Sequence, residues 1–164
     1  MVAVALVAGF FATIFELNAV CLRYIDANKE SVAALQGVQD RLEALRSLAF
    51  TPDPAGTDLA NATYLQTLMA TPANGSDFAK TKATERVTIK AYNTSTKSTS
   101  GVGIQITRPV GANVTPSIDL NSLVLPLPPN PAVVLVNVTY TWTMLGGRPG
   151  SEQTETIIAS GTKK

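Results

Sequence analysis

Histidine is absent from this sequence, and cysteine occurs once, at Cys21. Without histidine a Ser-His-Asp arrangement is impossible, and zinc sites of Cys/His type go with it. One cysteine forms no internal disulfide, so bridges say nothing about the redox compartment. Cys21 itself reads as a small apolar side chain within a helix. Charge is scarce too: 15% of residues are charged, against roughly 25% in ordinary soluble proteins. The formal net charge of +1 excludes a strong general attraction to nucleic acid or to an anionic surface. No glycine-rich phosphate loop follows a strand pattern, and GVG at 101–103 reads as loop. Asp53, Asp58 and Asp77 lack the dense acidic spacing of a calcium loop, and Asp119 stands alone near the Pro-rich segment. The expectation is a protein that is not an enzyme and holds neither metal nor cofactor.

Helix breakers are missing from the first third. No proline occurs before Pro52, and the only glycines before Gly56 are Gly9 and Gly37. The spacing predicts one helix from about Val2 to about Ala49, roughly 70 Å long at 1.5 Å per residue. That length far exceeds an ordinary globular helix and needs a special reason. Its two halves differ. MVAVALVAGFFATIF carries no charge and is apolar all round, which marks a helix without an aqueous face. Alone it covers only ~22 Å, short of a bilayer core. No basic residue stands in front of it, as a secretory signal requires. The rear half is amphipathic: Val32, Leu35, Leu42, Leu45 and Ala49 form one apolar stripe, while Asp40, Arg41, Glu43 and Arg46 fall largely off it. The stripe predicts that Val32, Leu35, Leu42 and Leu45 pack the helix onto a sheet.

Turn chemistry follows at TPDPAGTD. Thr57 or Asp58 is placed to cap a short helix through Leu59, Tyr64, Leu65, Leu68 and Met69, and TPANGSD reads as a loop. Strand patterns come next. ERVTIKAYN alternates Val87, Ile89 and Ala91 against Thr88, Lys90 and Tyr92. GIQITRPV sets Ile104 and Ile106 on one face. SIDLNSLVLPLPPNP holds a short strand and then a Pro-rich loop from Pro126 to Pro131. AVVLVNVTYTWTM is the strongest strand, with Val134, Val136, Val138, Tyr140 and Trp142 on one side. LGGRPG turns it back into SEQTETIIASGTK. These patterns give an α+β fold: a long N-terminal helix on an antiparallel sheet of about four strands, whose apolar face needs a cover. Two regions are expected: 1–29, the apolar helix half, and 30–164, the globular domain. Sequons at Asn61, Asn74, Asn93, Asn113 and Asn137 suit a Thr/Ser-rich surface and arise readily by chance.

The string MVAVALVAGFF, joined to SVAALQGVQDRLEALRSLAF, resembles the N-terminal segment of type IV pilins and type II secretion pseudopilins, of the minor, straight-helix kind. The resemblance covers roughly residues 1–50. It implies a pilin-like roll and a structural subunit of a type IV pilus-like or pseudopilus filament at the cell surface. Family maturation includes a leader cleavage and methylation; by the resemblance this chain starts about two residues after the family's conserved Glu, which implies either a truncated chain or a start at Met1 in a divergent member, and that Glu's role is carried to no residue here. The implied partners are copies of the chain or other pilin-like subunits, joined in a helical polymer. The implied location is the bacterial inner membrane before assembly, then a periplasmic or extracellular filament. Leu6, Val7, Phe10, Phe11, Ile14 and Phe15 are expected to pack helix to helix in the filament core. Glu16 and Arg23, seven residues or ~10 Å apart along the helix, are candidates for a charge pair between subunits. The competing readings are a membrane-anchored, monomeric extracytoplasmic binding module and a secreted domain with a processed signal.

Overall fold

The computed structural model describes residues 2–48, 59, 61–73, 77–111, 113–119 and 133–159. Helix α1 (Val2–Ser47) is a single uninterrupted element of 46 residues. Absence of proline and the run of Ala, Leu, Glu, Gln and Arg after Glu30 account for its continuity. Its last turn carries Arg46, a cation suited to the negative end of the helix dipole. Ala49, counted in the expected stripe, lies outside the described residues.

Two short helices, α2 (Ala62–Met69) and α3 (Asp77–Thr81), come before the sheet. Asn61 caps α2: its side-chain oxygen accepts the Tyr64 N–H at 3.1 Å. The expected caps, Thr57 and Asp58, lie outside the described residues, and so does the Pro-rich loop from Pro126 to Pro131. Asp77, read from the sequence as loop, instead opens α3.

The strands are β1 (Thr84–Asn93), β2 (Ser98–Arg108), β3 (Ser117–Ile118), β4 (Val133–Thr143) and β5 (Pro149–Ala159). All pairings are antiparallel, in the order β3-β2-β1-β4-β5. The sheet therefore has five described strands rather than about four; β3 has two residues, too few for an alternation to be read. β1 is central. Its register on β2 breaks between Lys90 and Tyr92. There Gly103 crosses so close to β1 that a Cβ on it would sit 2.3 Å from the Ile89 carbonyl oxygen, so only glycine fits. β4 and β5 are joined by a tight turn in which Gly146 and Gly147 take positive φ, a conformation other residues adopt at a cost.

Alternation puts Val87 and Ile89 of β1, Ile104 and Ile106 of β2, and Val134, Val136, Val138, Tyr140 and Trp142 of β4 on one buried face. The opposite face carries Thr88, Lys90, Gln105, Asn137 and Thr139. Three helices cover the apolar face. α1 lies over β4 and β5, while α2 lies over β2 and β3. Trp142 stacks edge-on against Phe78 of α3, ring centroids 5.4 Å apart, a geometry aromatic pairs favour.

The helix face that packs on the sheet differs from the expected stripe. Leu42 and Leu45 are buried, as the spacing predicts. Val32 and Leu35 are 55% and 42% exposed. Their places are taken by Glu30, Ala34, Gly37, Val38 and Arg41. Gly37 allows this close approach, because a Cβ there would meet the Tyr140 ring at 3.0–3.2 Å. A hydrophobicity filter discards Glu30, Gly37 and Arg41, and so it rotates the stripe away from the true contact line.

Candidate assembly surface and the buried cluster behind it

Glu30 is the first buried residue along α1; before it every described residue is exposed except Ala27, which is partly buried. Leu6, Val7, Phe10, Phe11, Ile14 and Phe15 are all exposed. The helix is long and apolar enough to cross a membrane, and no part of its most apolar window is buried within the chain. The apolar stretch thus has no partner inside the monomer. Exposed apolar surface on this scale is rare in a soluble monomer and marks an interaction site.

The exposed apolar surface does not stop where the domain begins. Val7, Ile14, Cys21 and Leu35 lie on one seven-residue repeat, with Phe11, Ile25 and Val32 on the adjacent one. All are exposed; the buried residues Glu30, Ala34, Gly37, Val38, Arg41 and Leu45 centre on the face opposite Val32, and the first repeat turns into the sheet contact at Leu42, which is buried. Val32 and Leu35 therefore continue the apolar line along the outward side of the amphipathic half.

Glu16 and Arg23 are both exposed and form no ion pair with each other in the single chain. They share a seven-residue line with Glu30, on the sheet-facing side. Arg23 lines a cleft beside the turn between β4 and β5.

Behind the stalk sits a cluster that the sequence patterns did not assemble. Glu85 of β1 pairs in register with Arg108 on β2 and with Tyr140 on β4. Arg41 comes down on this rung from α1. Its Nε donates to Glu85 Oε1 at 2.5 Å and its Nη2 to Oε2 at 3.2 Å. Arg108 Nε donates to Glu85 Oε2 at 3.1 Å. All three side chains are essentially inaccessible to solvent. The remaining guanidinium donors go to backbone carbonyls: Arg41 to Leu68 at 3.1 Å and Thr71 at 2.8 Å, Arg108 to Ala79 at 2.9 Å, Pro109 at 3.3 Å and Gly111 at 3.1 Å. One carboxylate thus ties α1 and β2 to the segments around α2 and α3, and five carbonyls spread the excess positive charge. The Tyr140 hydroxyl borders the cluster without a well-formed hydrogen bond. Burial, and then the Glu85 charge, push its pKa upward. A second tie lies where the domain begins, between Lys82 after α3 and the buried Glu30 of α1.

This arrangement holds α1 on the sheet. The cluster is closed to solvent, and among the described residues no group of three metal-ligating side chains occurs. No protein-family model, no curated protein and no solved structure matches the chain. The architecture, a long N-terminal apolar helix packed on an antiparallel sheet, is compatible with a pilin-like fold.

Proposed function

We propose that the protein is a structural subunit of a type IV pilus-like or pseudopilus filament, and not an enzyme. It polymerises through α1, with copies of itself or similar subunits as partners. Before assembly the apolar half lies in the bacterial inner membrane, where a helix satisfies its own backbone hydrogen bonds. On assembly, Leu6, Val7, Phe10, Phe11, Ile14 and Phe15 exchange lipid for neighbouring helices, while Ala3, Ala5, Ala8 and Gly9 allow close approach. The repeat is head-to-tail and open, so it grows as a helix. The sheets form the outer shell of a periplasmic or extracellular polymer.

One observation carries this reading over a simple membrane anchor. The exposed apolar line runs on through Val32 and Leu35, beside the folded domain, where lipid does not reach. A monomeric anchored module gives these side chains nothing to cover them; a neighbouring helix does. The test is a pair of substitutions read by sedimentation and electron microscopy. Phe10→Asp and Val32→Asp both abolish polymer, and Val32→Asp leaves the chain membrane-associated with its sheet folded. Polymer at wild-type yield from Val32→Asp defeats the filament reading and leaves the anchored module.

A further inference from the structure

The apolar helix and the folded domain meet at a cleft whose position and charge fit a lipid headgroup. Val2 to Leu22 carries one charged residue, Glu16, and at 1.5 Å per residue it runs about 31 Å, matching the ~30 Å hydrocarbon core of a bilayer. Including Glu16 and Asn18 thus gives the span that the uncharged stretch alone falls short of. Arg23 and Tyr24 come next, at the level where a membrane-spanning helix meets the headgroups. At that level the turn between β4 and β5 folds against the helix. Val20, Arg23 and Tyr24 form one wall of a cavity of about 290 Å³, and Met144, Leu145 and Arg148 form the other.

Neither Arg23 nor Arg148 has a side-chain hydrogen bond or ion pair among the described residues. Two uncompensated guanidiniums therefore border one cleft. Leu145 stands 66% exposed at the turn, beside the two arginines, where it can reach an apolar phase at the headgroup level. Met144 N–H to Arg148 carbonyl, 2.8 Å, and Gly147 N–H to Met144 carbonyl, 3.0 Å, hold the turn closed, so Leu145 and Arg148 are presented on a fixed frame.

We propose that this cleft holds the phosphate of a membrane phospholipid, between Arg23 and Arg148, with Leu145 and Tyr24 at the acyl boundary. The inference rests on the membrane-inserted state of α1 in the proposed function, and it does not need the filament. Guanidinium is the side chain suited to phosphate, because its planar donors match the oxyanion geometry. The occupant is a lipid rather than free phosphate because one wall of the cleft is the membrane helix itself, ending where the hydrocarbon ends. Bound in this way, the lipid fixes the domain against the bilayer, so the outward line through Val32 and Leu35 stays free for a neighbour.

The test uses the full chain reconstituted into phosphatidylcholine vesicles with increasing phosphatidylglycerol. An environment-sensitive fluorophore is placed on Leu145→Cys in a Cys21→Ser background. Expected is a blue shift saturating with phosphatidylglycerol. In the added double variant Arg23→Gln/Arg148→Gln, the apparent lipid affinity falls about thirtyfold, while vesicle flotation and the far-ultraviolet spectrum stay unchanged. An unchanged titration in the double variant overturns the proposal. So does the same shift produced by inorganic phosphate on the protein in detergent micelles, which would make the cleft a soluble-anion site. Failure of the parent protein to float with vesicles overturns the membrane reading itself, a result distinct from failure at the cleft.

Discussion

Arg41 of the long helix and Glu85 of the central strand form a buried ion pair, Nε to Oε1 at 2.5 Å, in which neither side chain sees solvent. They lie 44 residues apart in the chain. The pair fixes which turn of the helix sits on which rung of the sheet. Burying it carries a desolvation cost of several kcal/mol per ion, offset here by the second arginine and the ring of carbonyls.

Removing the carboxylate charge leaves two guanidiniums facing each other in a dry core. Glu85→Gln is expected to destabilise the domain by about 3–5 kcal/mol, seen as a lower denaturant midpoint at unchanged slope. The triple variant Arg41→Met/Glu85→Leu/Arg108→Met is expected to lose less than the single one, because it removes charges and desolvation cost together. A triple variant that loses the sum of its three single losses contradicts this account.

Gly37 is the second contact on the same line. Alanine is the better helix former by about 1 kcal/mol, so on propensity Gly37→Ala should stabilise α1. The added methyl meets the Tyr140 ring at 3.0–3.2 Å, and overpacking of this kind costs about 1–3 kcal/mol. The expected result is net destabilisation in a chemical melt. A Gly9→Ala control has open space around it and carries no such penalty.

Tyr140 ties stability to alkaline pH. Burial raises its phenol above the ordinary value of 10.0, and the Glu85 charge adds to this. A raised folded pKa means that the folded state holds its proton where the unfolded state has lost it. The stabilisation is full below pH 10 and is lost as pH rises from there towards the folded value. In urea melts from pH 8 to 11, wild type should therefore lose stability relative to Tyr140→Phe as pH rises above 10, from a difference that is constant at lower pH. A parallel offset throughout rules the linkage out.

Among the described residues Glu16 and Arg23 form no ion pair, and they share one face of α1. If they pair between subunits, Glu16→Arg and Arg23→Glu each reduce polymer yield, and the double reversal restores it. The readout is pelleted polymer at low salt, since exposed pairs are screened at high ionic strength. A double reversal no better than either single one removes the pairing.

Much of this architecture is legible in the sequence because period-2 alternation survives in long strands. Val134, Val136, Val138, Tyr140 and Trp142 could be placed on one face from spacing alone, and so could Val87 and Ile89. The continuous α1 follows from the absence of proline. The short strand expected in SIDLNSLVLPLPPNP is β3, at its first two residues, while α3 escaped because five residues carry no clear period. The buried cluster escaped for a different reason. Glu85 shares the parity of Val87, Arg108 that of Ile106, and Arg41 lies seven residues after Ala34, so the positions were present in the pattern. Charge at a core position is discounted when hydrophobicity alone is read, and only the fold shows that two such arginines share one carboxylate and give their remaining donors to backbone carbonyls. The exposure of Val32 and Leu35 has the same root: hydrophobicity assigns the apolar stripe to the sheet, while the sheet contact runs through Glu30, Gly37 and Arg41.

The continuity of α1 also has a mechanical consequence. A helix without a break from Val2 to Ser47 has no hinge at which a pull on the domain is absorbed. Tension applied to the sheet passes to the stalk as shear between α1 and the strands beneath it. Shear is resisted best by bonds lying across the sliding direction. Arg41–Glu85 and Glu30–Lys82 join the shaft to the domain at two separate heights, so load is shared between two ties rather than carried by one.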